Sequence, residues 1–319
     1  MPPLSPAAYS WFLIAFQYFP IITLIQWFTP WYPQGKTSVK SNLNLPGRYA
    51  WCVMELVGPV NLIYTLFEAQ SSYGTFATLP FANKLVAGLY VLHYLNRAII
   101  TPLFFAPSMS PIHVVVALFA VMFNYLNSSC LAGWLLGYGV YNHPSEDHNS
   151  SRSNYFPYVG LLLFAFGMYG NIISEHTLFR LRREAAEKKD HYEGKGKYDK
   201  VYVIPPAKGF FKTILFPHYV CEWIEWFGFA MVGFAVVNPV RASAFTAPNV
   251  TLAPYYIPLE NLLVKRWGLV MPLPPILSFV NIAMTTAVRA NSGRNWYVQR
   301  FGEKEVAGRG SVIPYCKWF

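Results

Sequence analysis

Glu55 stands in the apolar run "WCVMELVGPV", inside a stretch that reads as a membrane span. A carboxylate in that setting costs about 3 kcal/mol unless it is paired or faces a cavity. A glutamate stem is short, and Glu55 lies about 10 Å down its helix, so snorkelling to the interface is the weaker alternative. Tyr94 and Arg97 occur in "LHYLNRAIITPL", with His93 beside them. At i,i+3 spacing Tyr94 and Arg97 share a helix face. An intramembrane arginine needs a polar partner, and Glu55 is the obvious candidate. A carboxyl group hydrogen-bonded to a phenol makes a proton donor suited to an apolar ketone.

Two further helices carry polar stripes. In "GMYGNIISEHTLFRLRRE", Asn171, Ser174, Glu175, Leu178 and Arg182 follow i, i+3, i+4, i+7, i+11, so one stripe is mostly polar and should line a cavity. In "PHYVCEWIEW", His218, Glu222 and Glu225 follow i, i+4, i+7 on one face. The plain alternative is a pair of polar helix ends near the cytosol. Near the C-terminal end, Arg289, Arg294, Arg300 and Arg309 accompany Trp296, Tyr297 and Tyr315. Basic and aromatic groups together can grip a phosphorylated, stacked ligand, and they equally make a membrane-surface tail.

Other chemistries are missing from the sequence. There is no G-x-G-x-x-G after a strand, so a dinucleotide would not be held by a Rossmann unit. The seven histidines form no H-x-x-x-H or H-x-x-H-H cluster, which argues against a di-iron oxygenase and against any metal. Cys52, Cys130, Cys221 and Cys316 show no metal-ligand spacing and read as small buried groups.

The elements that must position these residues are membrane helices. Of 319 residues, 54% are hydrophobic and only 13% charged, with mean hydropathy +0.28. A soluble chain carries about a quarter charged residues. Seven spans are expected, roughly Ala8–Phe28, Tyr49–Leu66, Leu85–Phe105, Ile112–Leu136, Tyr158–Phe179, Val220–Val240 and Trp267–Ala290. The motif "MPLPP" at Met271–Pro275 should break or kink the start of the last one. The first span reads as a retained signal anchor.

The net charge of +10 does not point to nucleic acid, because ten of the 25 Lys and Arg residues cluster between Arg180 and Lys212 and six more between Arg289 and Lys317. With the C-terminus in the cytosol, nineteen basic residues fall on the inside and five on the outside, which sets the orientation. Sequons at Asn149 and Asn249 then fall in lumenal loops, while the one at Asn127 lies within a span and should be silent. The expected organisation is one membrane domain over residues 1–319, with a lumenal excursion at about 238–266 and a basic cytoplasmic loop at about 180–212.

From about Gly47 to Tyr315 the chain resembles the steroid 5α-reductase family. The resemblance rests on an ordered set of motifs: "AWCVMEL", "LHYLNRAIITPLF", "GMYGNIISEHTLFRLR", "YVIP", "PHYVCEWIEWFGFA", "VRA" with "WYVQRF", and a terminal "R..VIPY". It implies an all-α integral membrane protein whose seven transmembrane helices enclose a substrate and NADPH cavity in the endoplasmic reticulum membrane. The N-terminus is then lumenal and the C-terminus cytoplasmic, and the protein acts as a monomer. The implied reaction is NADPH-dependent reduction of the carbon–carbon double bond of an α,β-unsaturated ketone in a sterol-like or isoprenoid lipid. The partners so implied are that apolar lipid and the membrane lipids.

On the resemblance, Glu55 and Tyr94 hold the ketone oxygen. Arg97, Asn171, Glu175, Arg182, Tyr202, His218, Glu222, Arg289, Tyr297 and Arg309 bind or frame NADPH, and Glu225 is a further acid of the motif. The sequence departs from the pattern at Met54, Glu175, His218, Gly293 and Arg294, and in the excursion. The "PHY" form is more similar to the polyprenol reductase branch. A polyprenol or trans-2-enoyl-CoA reductase is the alternative enzyme; an isoprenylcysteine-type methyltransferase or a lipid-binding protein is the alternative of another class. For the lipid-binding reading the discriminator is whether the Glu55–Tyr94 pair and the basic segments face one connected cavity.

Overall fold

The computed structural model describes residues 4–29, 33–69, 71, 73–138, 155–188, 197–198, 201–236 and 250–316. Asn149 and Asn249 lie outside them. Among the described residues five helical segments are long and apolar enough to cross a membrane: Pro6–Phe28, Gly47–Glu68, Val114–Leu135, Phe156–Glu187 and Leu273–Phe301. Their outward residues are apolar, for example Trp11, Phe28, Val53, Leu118 and Leu162. So large an apolar exterior suits lipid rather than water, and the chain is a multi-pass membrane protein.

The first segment is two helices, α1 (Pro6–Gln17) and α2 (Phe19–Phe28), broken at Tyr18 because Pro20 cannot donate into the preceding turn. Then follow α3 (Gly47–Glu68), α4 (Phe81–Tyr94), α5 (Val114–Leu135) and α6 (Phe156–Glu187). Helix α4 continues as a π-helical segment, Leu95–Phe105, with Pro102 inside it. Such widened turns are rare and gather at functional sites. Between α2 and α3 the chain forms a strap. The strap strand β1 (Asn44–Leu45) pairs antiparallel with β2 (Ile112–His113) ahead of α5.

The second half differs from the expected spans. Helix α7 (Pro217–Val232) stops short of Val240 and is followed by a single tight turn, Gly233–Ala235. The excursion contains a helix, α8 (Ile257–Trp267), stopped by Gly268 in the left-handed conformation at φ 66°. Trp267 thus belongs to α8, and the last long helix, α9, runs from Leu273 to Phe301. Its prolines sit in the first turn, where no backbone donor is missed, so they start the helix and do not kink it. A short α10 (Glu303–Val306) follows.

The excursion is tied to α1. The Gln17 side chain donates to the Thr251 carbonyl at 3.3 Å and accepts from the Ala253 amide at 2.8 Å. Val250, Ala253, Tyr256 and Leu263 join the main core.

Helices α6 and α7 pack most closely. A Cβ at Gly167 would lie 2.4 Å from the Glu225 nitrogen, so glycine there brings the two backbones together. Side-chain amides stitch other helices: buried Asn83 donates to the Leu135 carbonyl at 2.7 Å, and half-buried Asn61 to Ser128 at 2.8 Å. Asn127 is wholly buried and accepts from Ser278 at 2.5 Å, which leaves no room for a glycan. At 32 and 29 residues, α6 and α9 are about 48 and 43 Å long, well beyond the hydrocarbon thickness. The C-terminal part of α6 carries Arg182, and the C-terminal half of α9 carries Arg289 and Tyr297. What reads in sequence as a charged loop and a basic tail is in part rigid helix.

Candidate active site

Helix α3 delivers Glu55, α4 and its π-helical continuation deliver Tyr94 and Arg97, and α7 delivers Glu222. Arg97 lies between two carboxylates, its Nε 3.5 Å from Glu55 and its Nη1 3.4 Å from Glu222. The expected Glu55 partnership is therefore present and shared. Trp51, one turn before Glu55 on α3, sits beneath two guanidinium groups: Arg97 lies 5.1 Å and Arg289 5.6 Å from its ring. Its Nε1 donates to the Arg97 carbonyl at 3.1 Å.

Tyr94 does not bond Glu55 directly. Asn124 of α5 stands between them. The Tyr94 hydroxyl donates to Asn124 Oδ1 at 2.7 Å, and Asn124 Nδ2 donates to the Met54 carbonyl at 2.8 Å and reaches Glu55 at 3.5 Å. Next to this group, His93 pairs with Glu225 at 2.8 Å. Glu225 is thus held by the helix that carries Tyr94.

Two cavities of about 310 Å³ each meet at this cluster, sharing Gln34, Arg97 and Arg289. The more apolar one is lined by Glu55, Tyr94, Asn124 and Glu222, by threonines and glutamines such as Thr23 and Gln26, and by Ile22, Ile25, Val116, Phe119 and Phe123. The polar one is walled by Lys36, Glu175, Arg182, Tyr202, Tyr297 and the shared arginines. The two sets of residues therefore face adjoining spaces.

Not every expected residue lines a large cavity. Asn171 faces a small hollow with Glu175 and donates to the His218 carbonyl at 3.2 Å, tying α6 to α7. His218 is buried at the start of α7. Arg309 lines neither cavity. It donates to the carbonyls of Val306, Pro205 and Phe211 at 2.8–3.1 Å and so clamps the C-terminal segment. Arg294 joins that clamp through the Arg309 carbonyl and Glu303, both at 2.9 Å.

Sequence reasoning missed Asn124, Trp51 and Lys36. Lys36, on the strap, lies over the rings of Tyr297 at 3.6 Å and Phe216 at 4.8 Å. Burial pushes its ammonium down to about 7. Arg182 reaches the carbonyls of Ser108 at 3.0 Å and Tyr198 at 3.2 Å, and Arg300 lies 5.1 Å from the Tyr202 ring.

The polar cavity suits a phosphorylated, stacking ligand. Lys36, Arg97, Arg182 and Arg289 offer cations, while Tyr202 and Tyr297 offer aromatic faces. Glu222 Oε2, His218 Nδ1 and Ser174 Oγ are buried without hydrogen-bond partners among the described residues. Of these only Glu222 lines a large cavity, the apolar one; buried polar atoms normally find a partner, and a polar ligand reaching past Arg97 would supply one to Glu222.

Comparisons with known proteins place the chain among named relatives. The profile of 3-oxo-5-alpha-steroid 4-dehydrogenase matches residues 110–251. The chain is 28% identical to an uncharacterised protein, C9.08c, of Schizosaccharomyces pombe, over 89% of this chain and 90% of that one. It is 27% identical to steroid 5-alpha-reductase DET2 of Solanum lycopersicum, over 95% and 94%. It is 30% identical to 3-oxo-5-alpha-steroid 4-dehydrogenase 2 of Rattus norvegicus, over 67% and 73%.

Proposed function

The chain belongs to the 3-oxo-5-alpha-steroid 4-dehydrogenase family, and from that premise we propose that it reduces the carbon–carbon double bond of an α,β-unsaturated ketone in a sterol-like or isoprenoid lipid. It is an oxidoreductase acting on CH–CH groups. NADPH, bound in the polar cavity, supplies the hydride. The observation that carries the reading is the junction of an apolar cavity, holding a phenol and a carboxylate, with a cationic one across Arg97 and Arg289. A protein that only held lipid would have no use for the cationic half.

In this scheme the apolar cavity takes the lipid with its ketone oxygen toward Tyr94. Hydride forms the new C–H bond at the β-carbon, and the electron pair of the double bond moves onto the oxygen. The Tyr94 proton moves to that oxygen as charge develops. Arg97, beside Glu55, keeps the carboxylate from repelling the developing charge. Water then protonates the α-carbon, the enol collapses to the ketone, and its proton returns to Tyr94. Arg182, Arg289, Tyr202 and Tyr297 would hold the phosphates and rings of the cofactor, with Glu222 accepting from its polar edge where the two cavities meet at Arg97.

The apolar wall accepts either a fused-ring or a prenyl chain, so the lipid class is open to direct assay. The remaining two of the seven spans are the helix running from α4 through Phe105, and α7. We place the protein in the endoplasmic reticulum membrane with its C-terminal end in the cytosol.

The test uses full-length protein in detergent with NADPH and a panel of Δ4-3-ketosteroids, polyprenals and enoyl-CoAs. Substrate-dependent NADPH consumption is expected with a lipid enone. Absence of both consumption and an NADPH-induced thermal shift would sink the proposal. Tyr94→Phe is expected to cut kcat by about 1000-fold with NADPH binding nearly unchanged. Loss of binding in that variant would contradict the role given to Tyr94.

A further inference from the structure

We infer that Asn124 is a positioning residue for the reduction, an amide that holds the Tyr94 hydroxyl proton in place until a ketone oxygen takes it. The inference deepens the enone-reductase reading and rests on it. Its basis is that the amide can face only one way. Nδ2 meets two acceptors, the Met54 carbonyl at 2.8 Å and Glu55 Oε2 at 3.5 Å. Turned over, Oδ1 would face a carbonyl and a carboxylate, with no proton between any of them. Oδ1 must therefore face Tyr94, and at 2.7 Å the phenol must be the donor.

That arrangement has a chemical consequence. An amide oxygen accepts a hydrogen bond but is far too weak a base to take the proton, so Tyr94 stays neutral. A phenolate in the same place would lie against the amide oxygen and be repelled. Asn124 thus keeps the donor charged with its proton and aimed along a fixed line. A ketone oxygen gaining negative charge during hydride transfer is a stronger acceptor than the amide, and the hydroxyl swings to it. One hydrogen bond is exchanged for another, which leaves little reorganisation for the reacting state to bear.

The surroundings hold this pair in place. A Cβ on Gly58 would lie 2.8 Å from the Tyr90 oxygen, 3.5 Å from Tyr94 Cζ and 3.6 Å from Asn124 Oδ1. The bare backbone of α3 is therefore the floor on which the tyrosines and the amide rest. Tyr90 leans on Tyr94 with ring centroids 4.6 Å apart. Ser128 donates to the Asn124 carbonyl at 2.7 Å, fixing that turn of α5. An amide that only joined helices would need the Met54 contact alone; the bond to Tyr94 is the additional observation.

The test compares Asn124→Leu and Asn124→Asp with wild type in full-length protein, using NADPH and the enone that wild type reduces. The leucine variant is expected to bind NADPH normally and keep its KM while kcat falls about 100-fold. In the aspartate variant a carboxylate faces the Met54 carbonyl, and only its acid form can donate there while accepting from Tyr94. The titratable and charged groups around that position are Glu55 from α3, His93 and Tyr94 from α4, Arg97, Glu222 from α7 and Arg289 from α9. Its kcat is expected to climb toward the wild-type value as pH falls, a limb that wild type lacks.

A leucine variant with kcat within about threefold of wild type, or an aspartate variant that tracks the wild-type pH profile, would overturn the inference alone. Should the leucine variant not fold, the aspartate profile decides. A wild type that reduces no enone overturns the underlying reading as well.

Discussion

The two cavities have the same volume and differ in charge: in one, four cations (Lys36, Arg97, Arg182 and Arg289) face a single carboxylate, Glu175, while in the other two arginines face two carboxylates, Glu55 and Glu222. In the apolar one the central polar groups form a chain: Tyr94 to Asn124, Asn124 to Glu55, Glu55 to Arg97. In the polar one Arg182 and Tyr297, on helices that overshoot the bilayer, reach loop carbonyls of Ser108, Tyr198 and Val203. The difference follows from solvent. A charge facing hydrocarbon must be paired at once, whereas one at the membrane edge can exchange water for a ligand at little cost. The proposed function uses that contrast, with chemistry in the first space and recognition of a charged ligand in the second.

The most severe way to break this division is Arg97→Leu, because Arg97 borders both cavities. It leaves Glu55 and Glu222 buried without a counter-charge, at a cost of about 3 kcal/mol. A lowered thermal midpoint in detergent is expected, together with loss of turnover and of NADPH affinity. Loss of one function with the other intact would show that the cavities work independently.

A subtler test concerns Lys36. An unfolded lysine holds its proton to about pH 10.5, whereas burial brings the folded value to about 7. Between those values the unfolded chain binds more protons, so the stability tied to Lys36 rises with pH across that window. A phosphate placed near Lys36 draws the proton back. NADPH affinity is then expected to weaken above pH 7, by up to about tenfold per pH unit, and to lose that slope in Lys36→Met. Equal slopes in both proteins would remove Lys36 from the cofactor site.

The smallest effect on the cavities is expected at Arg309. Arg309→Ala strips donors from three carbonyls and should destabilise by about 2 kcal/mol. Its NADPH dissociation constant should stay within about twofold of wild type. A tenfold loss, measured by titration, would return Arg309 to the cofactor.

Much of the site was legible because polar residues in a run of lipid length stand out. Glu55, Tyr94 and Arg97 were found that way, and the structure brings them together. Asn124 carries the same kind of signal in "VMFNYLN", but an amide costs less than a charge and passes for helix glue. Lys36 was read only as a loop charge fixing orientation, because nothing local shows that Phe216 and Tyr297, far along the chain, close over it. Arg309 shows the opposite error. Its motif was visible, yet a motif does not say whether an arginine faces a ligand or its own backbone. Helix ends were the least legible part: α6 and α9 run on through charged sequence because packing, and not hydropathy, decides where they stop.

Gln34, Arg97 and Arg289 form a common wall, which makes the two occupants partners in a thermodynamic cycle. If filling one side shifts that wall and changes affinity on the other by some factor, the reverse effect must have the same factor. The lipid would then tighten or loosen its neighbour's grip as much as it is itself gripped. The wall that divides the site would then also let each half sense that the other is full.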